Sequence, residues 1–508
     1  MAQIMIDKGA PLTPALEKRR TYNISFVIAL LGSIFYALLI FRSASISPSA
    51  FGNDIYDQLW LSIKDGRLDL PARVLRLEGH YLPDGTGFIY QGSAPLMTRI
   101  LLDPVMTIGV RSLAPFSIWM WATSGTALWH ASLLYTGTRS GGRTKLLVGL
   151  GVVLWLGGPG ALLATNHAFF HEPISLAYAA TGAFVLLCLH VMKANHISAF
   201  SLAALAILAA LTVHARPNLA VGLYITTLIM IAQGLSCHRR TALPGALIAL
   251  TLLGAGGSTY LAINKAKFGN PTIAHGSFEP GEIQYGAAYW GWETTDSMRQ
   301  EGFTEHGRFN PGRIFPNAAM YFAAPPSNIS PEMSARARAL HRAVTIPRVG
   351  YGRIEPPSIG LIFIWTLWVI LAGIGIAKIG HHGRPYAALL TGFLSSTLLI
   401  LSYPTLTLRY YVDLWPFLAI LALLGVAHSC QHPIPTGWRG AVLGCAAGIG
   451  LAVSAGTTAI YTYNFRNYEA SFFEEWSESE CYERAKYKEL SDDHRAYVCR
   501  PPLTDKGD

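Results

Sequence analysis

The apolar residues of this chain come in runs of about 17 to 22, and that spacing constrains the fold more than any other feature. At 1.5 Å per helical residue, each run covers about 30 Å, the thickness of a bilayer's hydrocarbon core. Charge is correspondingly scarce. Only 14% of the 508 residues are charged and 51% are hydrophobic, with a mean hydropathy of +0.33. A soluble domain carries about 25% charged residues, so the chain lacks the polar surface that water demands.

Gly, Pro and charge clusters bound eleven spans, at 22–41, 115–136, 145–165, 173–192, 197–214, 217–233, 243–263, 358–377, 386–402, 410–428 and 440–461. The expected fold is an all-α polytopic membrane protein with two large outer loops and a small outer tail. A re-entrant hairpin is the alternative for the pair divided by HARPN, His214 to Asn218. The stretch 96–113 carries Arg99, Asp103 and Arg111 and reads as an interfacial helix.

Short basic loops set the orientation. Lys18, Arg19 and Arg20 precede the first span, and Arg139, Arg143 and Lys145 follow the second. Lys193, Arg239, Arg240, Lys378, Arg384 and Arg439 fall on that same side, which is therefore the cytoplasmic side of a bacterial inner membrane. The chain then divides into a cytoplasmic amino terminus (1–21), a transmembrane unit (22–461) with outer loops at 42–114 and 264–357, and a periplasmic tail (462–508). All but two of the 30 carboxylates, Asp7 and Glu17, lie at or beyond the outer face. The formal charge of +9 is scattered along membrane boundaries, which suits anionic lipid headgroups and not nucleic acid. Cys481 and Cys499 fall in the tail, where an oxidising compartment allows a disulfide; two free thiols are the other reading.

Candidate chemistry concentrates in the first outer loop. GNDIYDQLW (Gly52 to Trp60) opens an amphipathic helix in which Ile55, Leu59 and Ile63 share one face and Asp54 and Asp57 another. Asp54 could take a proton from an attacking hydroxyl or hold a cation against phosphate; capping the helix is the plainer role. KDGRLDLP (Lys64 to Pro71) and EGHYLPDGTGFIYQGSAP (Glu78 to Pro95) follow, with Lys64 and His80 as candidate substrate contacts. In NHAFFHEP (Asn166 to Pro173), His167 and His171 are spaced to share a metal if helical; a role for Glu172 at the active face is the favoured reading, and His171 and Glu172 join Asp54 as candidate catalytic residues. Arg216, and Arg409 with Tyr410 in LRYYVDLWP, stand at outer span ends, where arginine grips phosphate through its planar fork. Snorkelling is the competing role for both, and a pairing of Arg409 with Asp413 one turn on is a further one. Trp290 and Trp292 in AAYWGWE suit stacking on a sugar ring, or dipping into headgroups.

Taken in order, GNDIYDQLW, KDGRLDLP, DGTGFIYQGSAP, His171–Glu172, ARPN at Arg216, NKAKFGNP (Asn264 to Pro271) and RYYVDLWP resemble the GT-C superfamily of membrane glycosyltransferases. The protein O-mannosyltransferases and aminoarabinose transferases belong to that group. The resemblance implies inverting transfer of a sugar from a polyprenyl-phosphate donor to an envelope glycan, lipid or protein. It casts Asp54 as base or acceptor-orienting carboxylate and Arg216 and Arg409 as donor-phosphate contacts. Many relatives have an Asp-Glu pair where this chain has Asp54 and Ile55, which leaves a divalent metal ion open. Two other classes compete: a multi-span transporter, which usually carries ionisable residues at mid-membrane and inverted repeats, and a non-catalytic envelope-assembly protein.

Overall fold

Apolar runs become helices because backbone in hydrocarbon has no water to bond and must satisfy its own N–H and C=O groups. The computed structural model describes residues 14–46, 55–141, 143–194, 198–293, 297–383, 386–432, 437–464 and 476–503. Among these, seven helical spans are long and apolar enough to cross a membrane. Three shorter apolar helices, Ala199–Val213, Thr366–Gly380 and Ala387–Leu401, accompany them. The span expected at 115–136 is a 26-residue helix, Ala114–Arg139, whose apolar run is diluted by buried Ser117, Thr126 and His130. The fold is all-α and polytopic.

Spans expected at 217–233 and 243–263 form one assigned helix, Pro217–Phe268, of 52 residues with Pro244 inside it. The Tyr224 hydroxyl nevertheless donates to the Leu253 carbonyl at 3.0 Å, 29 residues on. A straight helix would part those residues by about 44 Å, so the two halves run antiparallel, side by side. Ala199 meets Gly245 and Ala210 meets Gly256, so the short helix Ala199–Val213 lies lengthwise along the second half.

The amino-terminal helix, Pro14–Ile46, packs weakly. Phe26, Leu30, Leu31 and Leu38 are exposed, as lipid-facing side chains are, while Tyr36 and Ile40 are fully buried. Gly32 admits the Trp155 indole so closely that a β-carbon there would overlap the ring. The third span breaks as its Gly-Pro-Gly sequence suggests, into Thr144–Gly157 and Pro159–Leu163.

The two ends of the bundle differ. At one end the Thr21 and Thr144 hydroxyls bond at 2.7 Å. At the other, both long loops and the tail fold together. A three-stranded antiparallel sheet sets His80–Tyr81 between Gly87–Phe88 and Gln284–Tyr285, tying the first loop to the second. Tail and first loop share a core in which Trp476 meets Trp290 edge-on at 5.4 Å. Gln58 and Leu503 exchange two hydrogen bonds, at 2.9 and 2.7 Å. Asp69 receives both Tyr497 at 2.8 Å and Arg500 at 2.5 Å. Cys481 and Cys499 are disulfide-bonded. The stretch 96–113 is helical only over Leu96–Leu102; Ile100, Leu101, Val105 and Val110 are exposed along it, as an interfacial segment requires.

Candidate functional site

The loop end of the bundle gathers residues from four distant stretches of sequence. Thr405–Leu406 pairs in parallel with Arg353–Ile354, and the Glu355 amide donates to the Leu406 carbonyl at 2.9 Å. The chain then turns through Leu408–Tyr410 into the Tyr411–Gln431 helix. That register sets the Glu355 carboxylate 3.1 Å from the Arg409 guanidinium and 3.5 Å from Arg353. Burial pushes the Glu355 carboxyl up, but Arg409 and Arg353 outweigh it and hold it below the ordinary range.

Arg216 closes the Ala199–Val213 helix, its amide donating to Thr212, and Pro217 opens the next. Its guanidinium grips Asp413 through two nitrogens. The pairing of Arg409 with Asp413 considered above is therefore corrected: Asp413 takes Arg216, 197 residues away, and Arg409 takes Glu355. The reason is local, since Arg409 lies in the 3-10 turn before the helix and not one α-turn from Asp413 on its face. The Tyr410 ring stands between the arginines, 5.2 Å from Arg216 and 5.4 Å from Arg409.

The first loop supplies the facing wall. Glu78 lies within electrostatic reach of Arg409, Glu355, Arg353 and Arg299. Burial pushes its carboxyl above the ordinary range despite those arginines. Tyr90 is coupled at once to Glu78, Tyr410 and Arg409. His80 is buried against Tyr90 at 4.5 Å and His275 at 4.3 Å. Burial, with His275 and Arg308 nearby, lowers His80 far below its usual value, so its ring is neutral at physiological pH. Gly92 lets this segment abut the His214 carbonyl, where a β-carbon would collide, and the Tyr56 hydroxyl donates to the Gly92 carbonyl at 3.1 Å. The start of the Ile55–Lys64 helix thereby reaches the Arg216 side of the site.

A second charge cluster lies in the interior. Arg99 is wholly buried, 2.7 Å from Asp57 and doubly bonded to Glu172. Asp57 also accepts from the Leu113 amide at 3.0 Å. Asp57 and Glu172 thus spend their carboxylates on one arginine. His171 is buried, with Nδ1 3.0 Å from the Leu163 carbonyl. Lys64, at the far end of the Ile55–Lys64 helix, pairs with Asp103 at 3.2 Å. Trp290 is buried in the loop-tail core, whereas Trp292 is 59% exposed. Asp54 lies outside the described residues.

Among the described residues no three His, Cys, Asp or Glu side chains cluster as a metal site would require. An apolar groove of about 320 Å³, lined by Leu401, Leu414, Phe417 and Leu418, rises between helices to Tyr321. Tyr321 also lines a small cavity of about 20 Å³ whose wall includes Glu355, Thr407 and Tyr411. Glu78, Tyr90 and Glu355 were not singled out by sequence reasoning. The first two sit inside the motif-rich segment, but Glu355, in a Pro-rich stretch, carries no local signature.

No family model matches the chain, and no curated protein matches it in sequence. Among solved structures it is similar to the oligosaccharyltransferase of Archaeoglobus fulgidus, crystallised in the apo form, at 10% identity and a TM-score of 0.48. The match covers 95% of this chain and 61% of that one, so the chain spans less than two thirds of that protein's length.

Proposed function

We propose that this protein is a membrane glycosyltransferase of the GT-C kind, moving a sugar from a polyprenyl-phosphate donor to an envelope glycan, lipid or protein acceptor. The observation that carries the reading is an apolar groove that ends at Tyr321, a residue that also lines the small cavity of Glu355, the carboxylate paired with Arg409 and Arg353. A polyprenyl tail belongs in such a groove, and its phosphate belongs beside guanidinium groups that cannot lose their charge. Transfer from phosphate needs little covalent help. The departing phosphate must be stabilised by fixed cations and the acceptor hydroxyl aligned and deprotonated.

In this reading Arg409 and Arg216 take the donor phosphate, and Tyr410 lies between them. Asp54, next to the Ile55 that opens the first-loop helix, is the base or acceptor-orienting carboxylate. Glu78 and Tyr90 line the acceptor side. Asp57, Glu172 and Arg99 hold the first loop to the bundle and act as positioning residues. The loop end faces the periplasm, with the amino terminus in the cytoplasm. Basic short loops at the opposite end and the tail disulfide support that orientation.

The test is comparative mass spectrometry of envelope glycans and lipids from cells with and without the gene, joined to transfer assays on purified protein. A sugar missing from one glycan, restored by wild-type protein but not by a folded Asp54→Asn variant, is the expected result. Unchanged glycans together with substrate uptake into liposomes would replace this reading by a transporter.

A further inference from the structure

A large cavity between helices lies at the end of the bundle opposite Arg409, and nothing in the transferase reading uses it. It holds about 720 Å³ between the helices Thr144–Gly157, Thr366–His382, Tyr411–Gln431 and Trp438–Asn464. Its wall is divided by chemistry. Lys145, Lys378, His428 and His432 line its membrane-boundary end, while Leu150, Val153, Leu367 and Ile370 line its deeper part. Among the described residues no carboxylate lines it, and neither Lys145 nor Lys378 is ion-paired.

Its depth has a definite scale. Lys378 and Leu367 mark its extent along one helix, about three turns or 16 Å. One leaflet of a bilayer contributes about half of the 30 Å hydrocarbon thickness. The cavity is therefore one leaflet deep. Glycines keep it open: at Gly149 and at Gly444 a β-carbon would meet nothing within 4 Å.

We propose that this cavity is a binding site for an anionic diacyl phospholipid of the leaflet opposite the Arg409 site. The headgroup phosphate sits between Lys145 and Lys378, and an acyl chain runs along Leu150, Val153 and Leu367. Charge complementarity selects the occupant. Two lysines without carboxylate partners at a membrane boundary favour a net-negative headgroup over a zwitterionic one, and a one-leaflet depth suits an acyl chain, not a polyprenyl tail. The site is independent of sugar transfer and stands whatever the fate of that reading.

The experiment is native mass spectrometry of the full chain, delipidated in detergent and offered equal amounts of phosphatidylglycerol and phosphatidylcholine with matched acyl chains. Wild-type protein is expected to retain phosphatidylglycerol at least about tenfold over phosphatidylcholine. The pair Lys145→Ala with Lys378→Ala removes that preference, and Lys145→Arg with Lys378→Arg keeps it. Gly149→Leu with Gly444→Leu fills the cavity and lowers retention of both lipids. That variant carries the comparison by itself if the alanine pair fails to fold. Equal retention of the two lipids overturns the proposal. So does a preference that survives both the alanine and the leucine variants.

Discussion

Glu355 and Arg409 lie 3.1 Å apart, held together by a two-residue parallel strand pair and not by any closeness in sequence. The carboxylate takes one nitrogen, Nη1, of the guanidinium that the proposed donor phosphate would grip. On the transferase reading, binding exchanges one anion for another on Arg409. Glu355→Gln removes the competitor and should tighten the binding of polyprenyl phosphate about fivefold, measured by titration in detergent. Arg409→Lys keeps the charge but loses the planar fork, and should weaken binding about tenfold. Donor affinity unchanged in both variants would remove Arg409 from the phosphate site.

Glu78 predicts a pH dependence. Burial holds its folded-state carboxyl above the ordinary range, so the folded protein prefers the protonated form. Its stabilising contribution is full below the unfolded carboxylate value, about 4.3, and is lost as pH rises through the raised folded value. Glu78→Gln is permanently neutral. It should raise the melting temperature at pH 7 to 8 relative to wild type and flatten the fall in stability between acid and neutral pH. A variant whose melting temperature tracks wild type across that range would show that Glu78 ionises freely in water.

The membrane architecture was legible because it follows from one-dimensional facts. A run of apolar residues of the right length has few options in a bilayer, and each of the eleven expected spans is helical over most of its length, the third in two pieces. Arg216 and Arg409 stand out in the sequence because a lone arginine at a span end is conspicuous, and in the fold both lie beside Tyr410. Their partners were not legible. Asp413 reaches Arg216 across 197 residues, and Glu355 reaches Arg409 through a strand pair too short to leave a period-two pattern. For Asp57 the helical spacing with Asp54 pointed to a shared polar face, whereas its carboxylate turns inward to Arg99. Spacing along one helix shows which residues share a face, but not what packs against it.

The tail gives a prediction about stability. Its disulfide closes a loop with a sequence separation of 18 residues, inside the core shared with the first loop. Cross-linking a loop of that size stabilises by about 3 kcal/mol, through restriction of the unfolded chain. Cys481→Ser should lower the melting temperature by several degrees and free the tail for proteolysis, while the transmembrane helices keep their circular dichroism. Thiol labelling of intact cells provides the control. Labelling of Cys481 in the wild-type protein by a membrane-impermeant reagent without prior reduction would show that the bond is absent.

The buried triad of Asp57, Arg99 and Glu172 distinguishes a catalytic carboxylate from a positioning one. All three side chains are inaccessible to water, and one arginine satisfies both acids. Removing the arginine alone strands two carboxylates in the interior, so Arg99→Met should cost about 3 to 5 kcal/mol of stability. Replacing all three together, Asp57→Asn with Arg99→Met and Glu172→Gln, removes the charges with little change of volume and should recover much of that loss. Transfer activity should return with stability in the triple variant, because a positioning role needs the packing and not the charge. A triple variant that is as stable as wild type yet inactive would instead make Asp57 or Glu172 a participant in the chemistry.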